Sequence, residues 1–369
     1  MDPIRQLNLP LHSRVLIAVS GGPDSVALAL AFHAVARESR SGWSLRLGHV
    51  NHGLRGDETA EDEAFVSELA RELELPLDVS HVDTAAYAGQ HHLSLETAAR
   101  DQRYAALGTM LAAWPGELLA TAHTRDDQAA TVLLHLARGA GLHGLTGIWP
   151  ERGGLIRPFL SLPRATILAS LDAARQPYRL DSSNMDPRHS RNRVEHELMP
   201  LIDAIQPGAS AAVARSAASL TADRDYLDLE AEELDRTLDV RQDALGVSAS
   251  AGAFRVLHPA MQRIVLRRLI GRAVGELHDV EYEHVELMRE AILAGESAAR
   301  LLDQLPRGLG LTVNRAQFYI GTSGAEEILV IEPTTLSVPG SVKLTSGVLE
   351  CEILSDLDHS ERSRLLAVC

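Results

Sequence analysis

The chain has 369 residues, 45% of them hydrophobic, and a formal net charge of −15. It is long enough to bury a large core and to form two or three domains, while its acidity excludes a general nucleic-acid coat and confines any RNA contact to a local basic patch. No apolar run approaches a membrane span, the first one is too short for a signal peptide, and the two cysteines, Cys351 and Cys369, exclude a disulfide framework and suit a reducing cytoplasm.

Residues 1–150 alternate strand-like segments (14–19, 44–50, 77–82, 117–122) with helix-like ones (24–38, 57–74, 94–113, 126–138). That order predicts an α/β fold, an open parallel sheet with helices on both faces. Ligands of such sheets sit beyond the carboxyl ends of the strands, so the informative loops are 20–25, 51–56, 83–93 and 123–127. Leu155-Ile156, set among prolines and glycines, reads as a connecting strand, and 176–194 is polar, turn-rich and arginine-bearing. Apolar spacing then predicts a mostly helical region over about 195–295, with short strands from 309 and a β-like tail. The expected domains are 1–205, 206–330 and a small, incomplete β domain at 334–369.

Ser20-Gly21-Gly22-Pro23-Asp24-Ser25 joins the first strand to the first long helix. Paired glycines let backbone N–H groups approach an anion, and the helix start adds its positive end. The plain alternative is a strand-to-helix turn that needs glycine. The only lysine is Lys343, so no G-x-x-x-x-G-K-[ST] loop exists. Instead the hexapeptide resembles the loop of N-type ATP pyrophosphatases, which implies that Ser20, Gly21, Gly22 and Ser25 hold pyrophosphate oxygens and that Asp24 holds Mg²⁺ beside them.

Three further blocks sit near strand ends or on one helix face. His49, Asn51, His52, Gly53 and Arg55 close the second strand; a metal site there lacks a third ligand at matching spacing, a purely structural loop is one alternative, and contact with nucleotide or substrate is the favoured reading. Glu96, Arg100 and Arg103 share a helix face, either a solvated ion-pair face or one aimed at the site across small alanines. His123, Asp126 and Asp127 end the fourth strand, where one acid caps the next helix or both serve Mg²⁺-ATP.

Together these blocks resemble the tRNA(Ile)-lysidine synthase family, in order across residues 14–201: Ser20 to Ser25, His49 to Arg55, Glu96 with Arg100, Thr121 to Gln128, Arg138 to Leu145, Arg157-Pro158, Asp181-Ser182-Ser183-Asn184, and Arg191-Asn192-Arg193 through Pro200. The resemblance implies an adenine nucleotide alpha hydrolase-like catalytic domain, a helical tRNA-binding domain and a cytoplasmic ligase. It further implies use of ATP and Mg²⁺ to join free L-lysine to the wobble cytidine of tRNA(Ile) with a CAU anticodon, through an adenylated base. A homodimer is compatible with it, and a membrane role is not. It assigns catalysis to Asp24, His123, Asp127 and Arg100, and the metal to Asp24 and Asp127. ATP falls to residues 20–25 and His49, and substrate or tRNA to Asn51, His52, Arg55, Glu96, Arg103, Arg188, Arg191 and Arg193. The sequence departs from the family pattern twice: Ala130 stands where an acid is usual, and Glu195 where an arginine is. Restoring the acid with Ala130→Glu is expected to raise turnover or leave it nearly unchanged. The rivals are a tRNA thiolase, disfavoured by the absence of cysteine from the catalytic region, and a non-catalytic nucleotide-binding regulator.

Overall fold

The computed structural model of the chain describes residues 3–38, 41–54, 56–180, 190–275, 280–295, 305, 308–322, 340–344 and 347–351, and divides into two units, Met1–Tyr226 and Leu227–Cys369. Arg55, Arg188 and the segment Asp181-Ser182-Ser183-Asn184 lie outside the described residues.

In the first unit β1 (Arg14–Ala18), β2 (Ser44–Asn51), β3 (Leu77–His81), β4 (Leu118–Ala120), β5 (Glu151–Arg152) and β6 (Leu155–Ile156) form one sheet in the order β3-β2-β1-β4-β6-β5. All neighbours are parallel except the β5–β6 pair at the edge. Helices α1 (Pro3–Gln6), α2 (Pro23–Glu38), α3 (Asp57–Glu72), α4 (Thr84–His91), α5 (Leu95–Ala113), α6 (Arg125–Ala137), α7 (Leu142–Leu145) and α8 (Arg164–Ala174) follow in turn. Successive side chains of a strand point to opposite faces, and β1 is buried on both. Val15 and Ile17 pack with Phe32 of α2, Leu69 of α3 and Leu171 of α8, while Leu16 packs with Leu107 and Met110 of α5. Burying each of these large side chains is worth about 1.5–3 kcal/mol, so this run anchors both layers.

The chain order of this sheet locates the site. From β1 the chain moves outward through β2 and β3, then returns to place β4 on the other side of β1. The strand order therefore reverses between β1 and β4, and open α/β sheets take their ligands beyond the carboxyl ends at such a point. One expected loop is shorter than the sequence suggested: most of 83–93 is α4, capped by Asp83, whose Oδ1 accepts from Ala86 N at 2.9 Å, and closed by His92 in the left-handed conformation. A single cap and a mostly small, polar helix gave no apolar periodicity to read.

After α8 come α9 (Ser190–Arg193), a π-helical turn (Val194–Leu198), α10 (Met199–Ile205) and α11 (Ala209–Glu233), within which the division into units falls. In the second unit β7 (Arg241–Gln242), β8 (Gly246–Ser250), β9 (Leu309–Val313) and β10 (Gln317–Thr322) make an antiparallel sheet in the order β7-β8-β10-β9. Helices α12 (Ala251–Arg255), α13 (Pro259–Val274) and α14 (Tyr282–Ala294) pack on it, with Phe254 and Phe318 meeting edge to face at 5.2 Å. The helical reading of 195–295 is thus corrected at 241–250, where Val247 and Ala249 alternate inward in strand fashion but lie among small residues with little hydrophobic contrast. In the tail, β11 (Gly340–Leu344) pairs antiparallel with β12 (Gly347–Cys351). Among the described residues no helix is long and apolar enough to cross a membrane.

Candidate functional site

The loop after β1 is shaped by its own hydroxyls. Ser25 Oγ donates to Gly22 O at 2.9 Å and accepts from Ser20 N at 3.1 Å, so it ties the turn shut from within. Gly21 has φ +90°, and a Cβ there would meet Phe65 and Arg179 side-chain atoms at about the contact limit, so glycine is required by conformation. Arg179 N donates to Gly21 O at 2.9 Å, and its guanidinium pairs with Glu61 and Asp62 of α3, which braces the loop from outside. Pro23 starts α2 at its first position, where no N–H is needed, and Asp24 lies in the first turn.

Acids and arginines alternate around Asp24. Its Oδ2 pairs with Arg164 Nε at 3.3 Å, and its Oδ1 is buried with no partner among the described residues. Burial drives its pKa from 3.8 to about 6; Arg164 opposes the rise, and the charges of Asp127, Asp126 and Glu195 add to it. Asp126 accepts from Arg164 N at 2.8 Å and so caps α8. Asp127 caps its own helix: Thr124 N and Oγ1 donate to its Oδ2 at 2.7 and 2.8 Å, a reciprocal box that starts α6. Arg191 Nη2 takes the other oxygen, Oδ1. Burial alone would raise the pKa of Asp127, but Arg191, His123 and the Thr124 bonds hold it below the ordinary value.

His123 hangs from the end of β4, with Nδ1 3.0 Å from Thr121 Oγ1. Burial, reinforced by Arg157, Arg100 and Arg103 against the pull of Asp127, holds its pKa well below the ordinary histidine value, so the ring is neutral. Arg100 and Arg103 lie 5.1 and 5.5 Å from the centre of the Tyr104 ring, which puts the arginine face of α5 within electrostatic reach of His123. Arg157 Nη1 donates to Trp149 O at 2.6 Å.

On the other side of β1, His49 is buried, and its Nδ1 lies 2.8 Å from Val19 O, where it donates to the carbonyl just before the loop. Its Nε2 is buried without a partner among the described residues. Asn51 donates to Glu63 at 2.7 Å and accepts from Gly53 N, while His52 Nδ1 lies 3.0 Å from Thr84 Oγ1. Asn51 and His52 therefore shape the turn after β2. Glu96 is exposed in the first turn of α5. Arg191 and Arg193 part company: Arg191 is in the acid cluster, and Arg193 is exposed and pairs with Glu197 at 3.2 Å.

The PP-loop domain family matches residues 3–202, over half of the chain. A tRNA(Ile)-lysidine synthase from Dehalococcoides mccartyi is 36% identical over 365 residues, covering 95% of this chain and 76% of that protein. The chain belongs to the tRNA(Ile)-lysidine synthase family. Another member, from Geobacter sulfurreducens, is 37% identical over 336 residues, 90% of this chain and 70% of its own length. Among solved structures, a U34-tRNA thiolase from Methanococcus maripaludis superposes with a TM-score of 0.50 at 18% identity, covering 59% of this chain and 76% of that one, a likeness of fold alone.

Within the family frame, several residues of the cluster escaped motif reading. Arg164 and Arg179 act over 38 residues or more, or through the backbone, and neither carries a local pattern, whereas Thr124 forms a capping box with Asp127 three positions on. Gln128 is structural: its amide donates to Thr146 O and Ile148 O and accepts from Ile148 N, holding the glycine-rich loop around α7. Ala130 is fully buried among Ala129, Met199, Leu133, Val194 and Val213. That argues against the expected gain from Ala130→Glu, because a carboxylate there enters an apolar cluster.

Two outcomes follow from this geometry. Ala130→Glu should lower stability by about 2–4 kcal/mol, read as a drop in Tm or in denaturant midpoint, with activity falling alongside. For Asp24, the folded carboxyl binds its proton more tightly than the unfolded one, so stability falls as pH rises from about 4 through about 6. Asp24→Asn removes that loss: its Tm relative to the wild type should climb between about pH 4 and about pH 6 and level off above. A difference that stays flat, or declines, over this range would contradict the buried carboxyl.

Proposed function

We propose that this PP-loop enzyme adenylates the C2 oxygen of the wobble cytidine of tRNA(Ile) and then replaces AMP with free lysine. The observation that supports it best is the buried Asp24 Oδ1, without a partner among the described residues, beside a glycine loop at the seam of β1 and β4. The backbone N–H groups of Gly21, and of Asp24 and Ser25 at the start of α2, suit a pyrophosphate leaving group. Asp24 suits a Mg²⁺ ligand, whereas both oxygens of Asp127 are engaged by Thr124 and Arg191, so Asp127 would reach a cation only by releasing Arg191. A bound Mg²⁺ would supply charge neutralisation on the phosphates.

In the first step the C2 oxygen attacks the α-phosphorus and the bond to the β-phosphate breaks. In the second, the lysine amine attacks C2, the C2–O bond to AMP breaks, and an amine proton is lost. The protein's part is position and charge. Arg100, Arg103 and Arg157 supply positive potential toward the phosphates, and burial, reinforced by that potential, keeps His123 neutral, so His123 serves as a hydrogen-bonding contact and not as a proton donor. The selection of a CAU anticodon belongs to the same reading.

Incubation with ATP, Mg²⁺, labelled lysine and total tRNA should label the isoleucine tRNA with a CAU anticodon, with one pyrophosphate released per lysine joined. Pyrophosphate release without lysine incorporation would point to another tRNA-modifying adenylation, and ATP binding without release would point to a regulator.

A further inference from the structure

Two arginine–glutamate pairs stand side by side around the π-helical turn, and they differ in kind. Arg193 and Glu197 are 63% and 58% exposed, an ordinary solvated pair. Arg191 and Glu195, with the same sequence spacing, are 31% and 19% exposed, and Nε meets Oε1 at 2.8 Å. Arg191 then continues to Asp127, across 64 positions of sequence, through Nη2. One guanidinium is thus held by two acids, at Nε and at Nη2, a planar fork that suits arginine and not lysine.

The turn itself sets this geometry. Residues Val194–Leu198 wind as a π-helix, a distortion that re-aims side chains and that clusters at functional sites. Val194 packs on the Ala129–Ala130 corner of α6, which fixes how the turn is rotated against that helix. Glu195, next in sequence, lies close enough to the phosphate loop to act on the charge of Asp24.

We propose that Glu195 is a positioning residue for ATP: it holds Arg191 across Asp127, so that the guanidinium is presented to the nucleotide's phosphates. This rests on the reading that the corner between the Ser20–Ser25 loop and α6 receives those phosphates. The arrangement carries a sign that separates it from plain electrostatics. Removing an acid from beside a polyanion should tighten binding; removing the anchor of a phosphate-gripping arginine should weaken it.

The test is calorimetric titration of ATP with Mg²⁺ into the full chain, comparing E195Q, E195D, R191Q and R191Q/E195Q. E195Q should weaken ATP about tenfold with unchanged stoichiometry, and E195D should recover part of that loss. On the R191Q background the Glu195 substitution should lose its weakening effect, leaving at most about a threefold tightening. ATP binding by E195Q that is unchanged or tighter, a weakening that simply adds to that of R191Q, or a reduced stoichiometry at unchanged Kd, the mark of partial unfolding, would each overturn the role. No tRNA or lysine enters this experiment, so a failure of lysine ligation leaves it standing. A wild type that takes up no ATP removes the underlying reading, whereas an E195Q that binds like the wild type removes Glu195 alone.

Discussion

A buried carboxyl with one oxygen unsatisfied is the constraint around which the first unit is arranged. Asp24 sits at the start of α2, behind the loop that leaves β1, and three other acids, Asp126, Asp127 and Glu195, bear on its charge. Such a cluster is costly in a low-dielectric pocket, and the surrounding structure offsets the cost with specific partners. Arg164 meets Asp24, the start of α8 meets Asp126, and Thr124 with Arg191 meets Asp127. Two of these contacts also serve the architecture, because Asp126 and Asp127 satisfy the starts of α8 and α6.

The electrostatics on the two flanks have opposite sign. Toward α2 and the π-helical turn the acids gather, met by Arg164 and Arg191. Toward α5 and β6 the arginines gather, and Arg157, Arg100 and Arg103 reinforce the burial that holds His123 neutral. A nucleotide with its phosphates between these flanks would find positive potential on one side and carboxylates for a counter-cation on the other. This division accounts for an acidic protein acting on a polyanionic substrate, because the positive charge is local and comes almost wholly from arginine.

Much of this was legible in sequence. The four parallel strands and the helices between them followed from hydrophobic periodicity, and the glycine loop followed from its composition, since Gly21 occupies a backbone conformation that favours glycine. The arginine face of α5 was readable from its spacing, and its approach to His123 was not, because that depends on how α5 crosses the sheet. What stayed hidden has a common cause. Arg164 to Asp24, Arg191 to Asp127 and Arg179 to the loop are long-range pairs between elements that carry no mark of their destination. Ala130 was misjudged for the same reason: its neighbours Met199 and Val213 come from a distant part of the chain. In the second unit, strands made of small residues gave too little contrast to be told from helix.

The central claim is that the free oxygen of Asp24 awaits a cation that arrives with ATP. Electron paramagnetic resonance of Mn²⁺, used as a probe with the wild type and Asp24→Asn, addresses it directly. The account predicts weak Mn²⁺ binding to the wild type alone, where Arg164 and Arg191 already compensate the acids, tight binding of one Mn²⁺ when ATP is present, and a loss of about tenfold or more in Asp24→Asn. Tight Mn²⁺ binding without ATP, or an Asp24→Asn variant that holds Mn²⁺-ATP as firmly as the wild type, would contradict it.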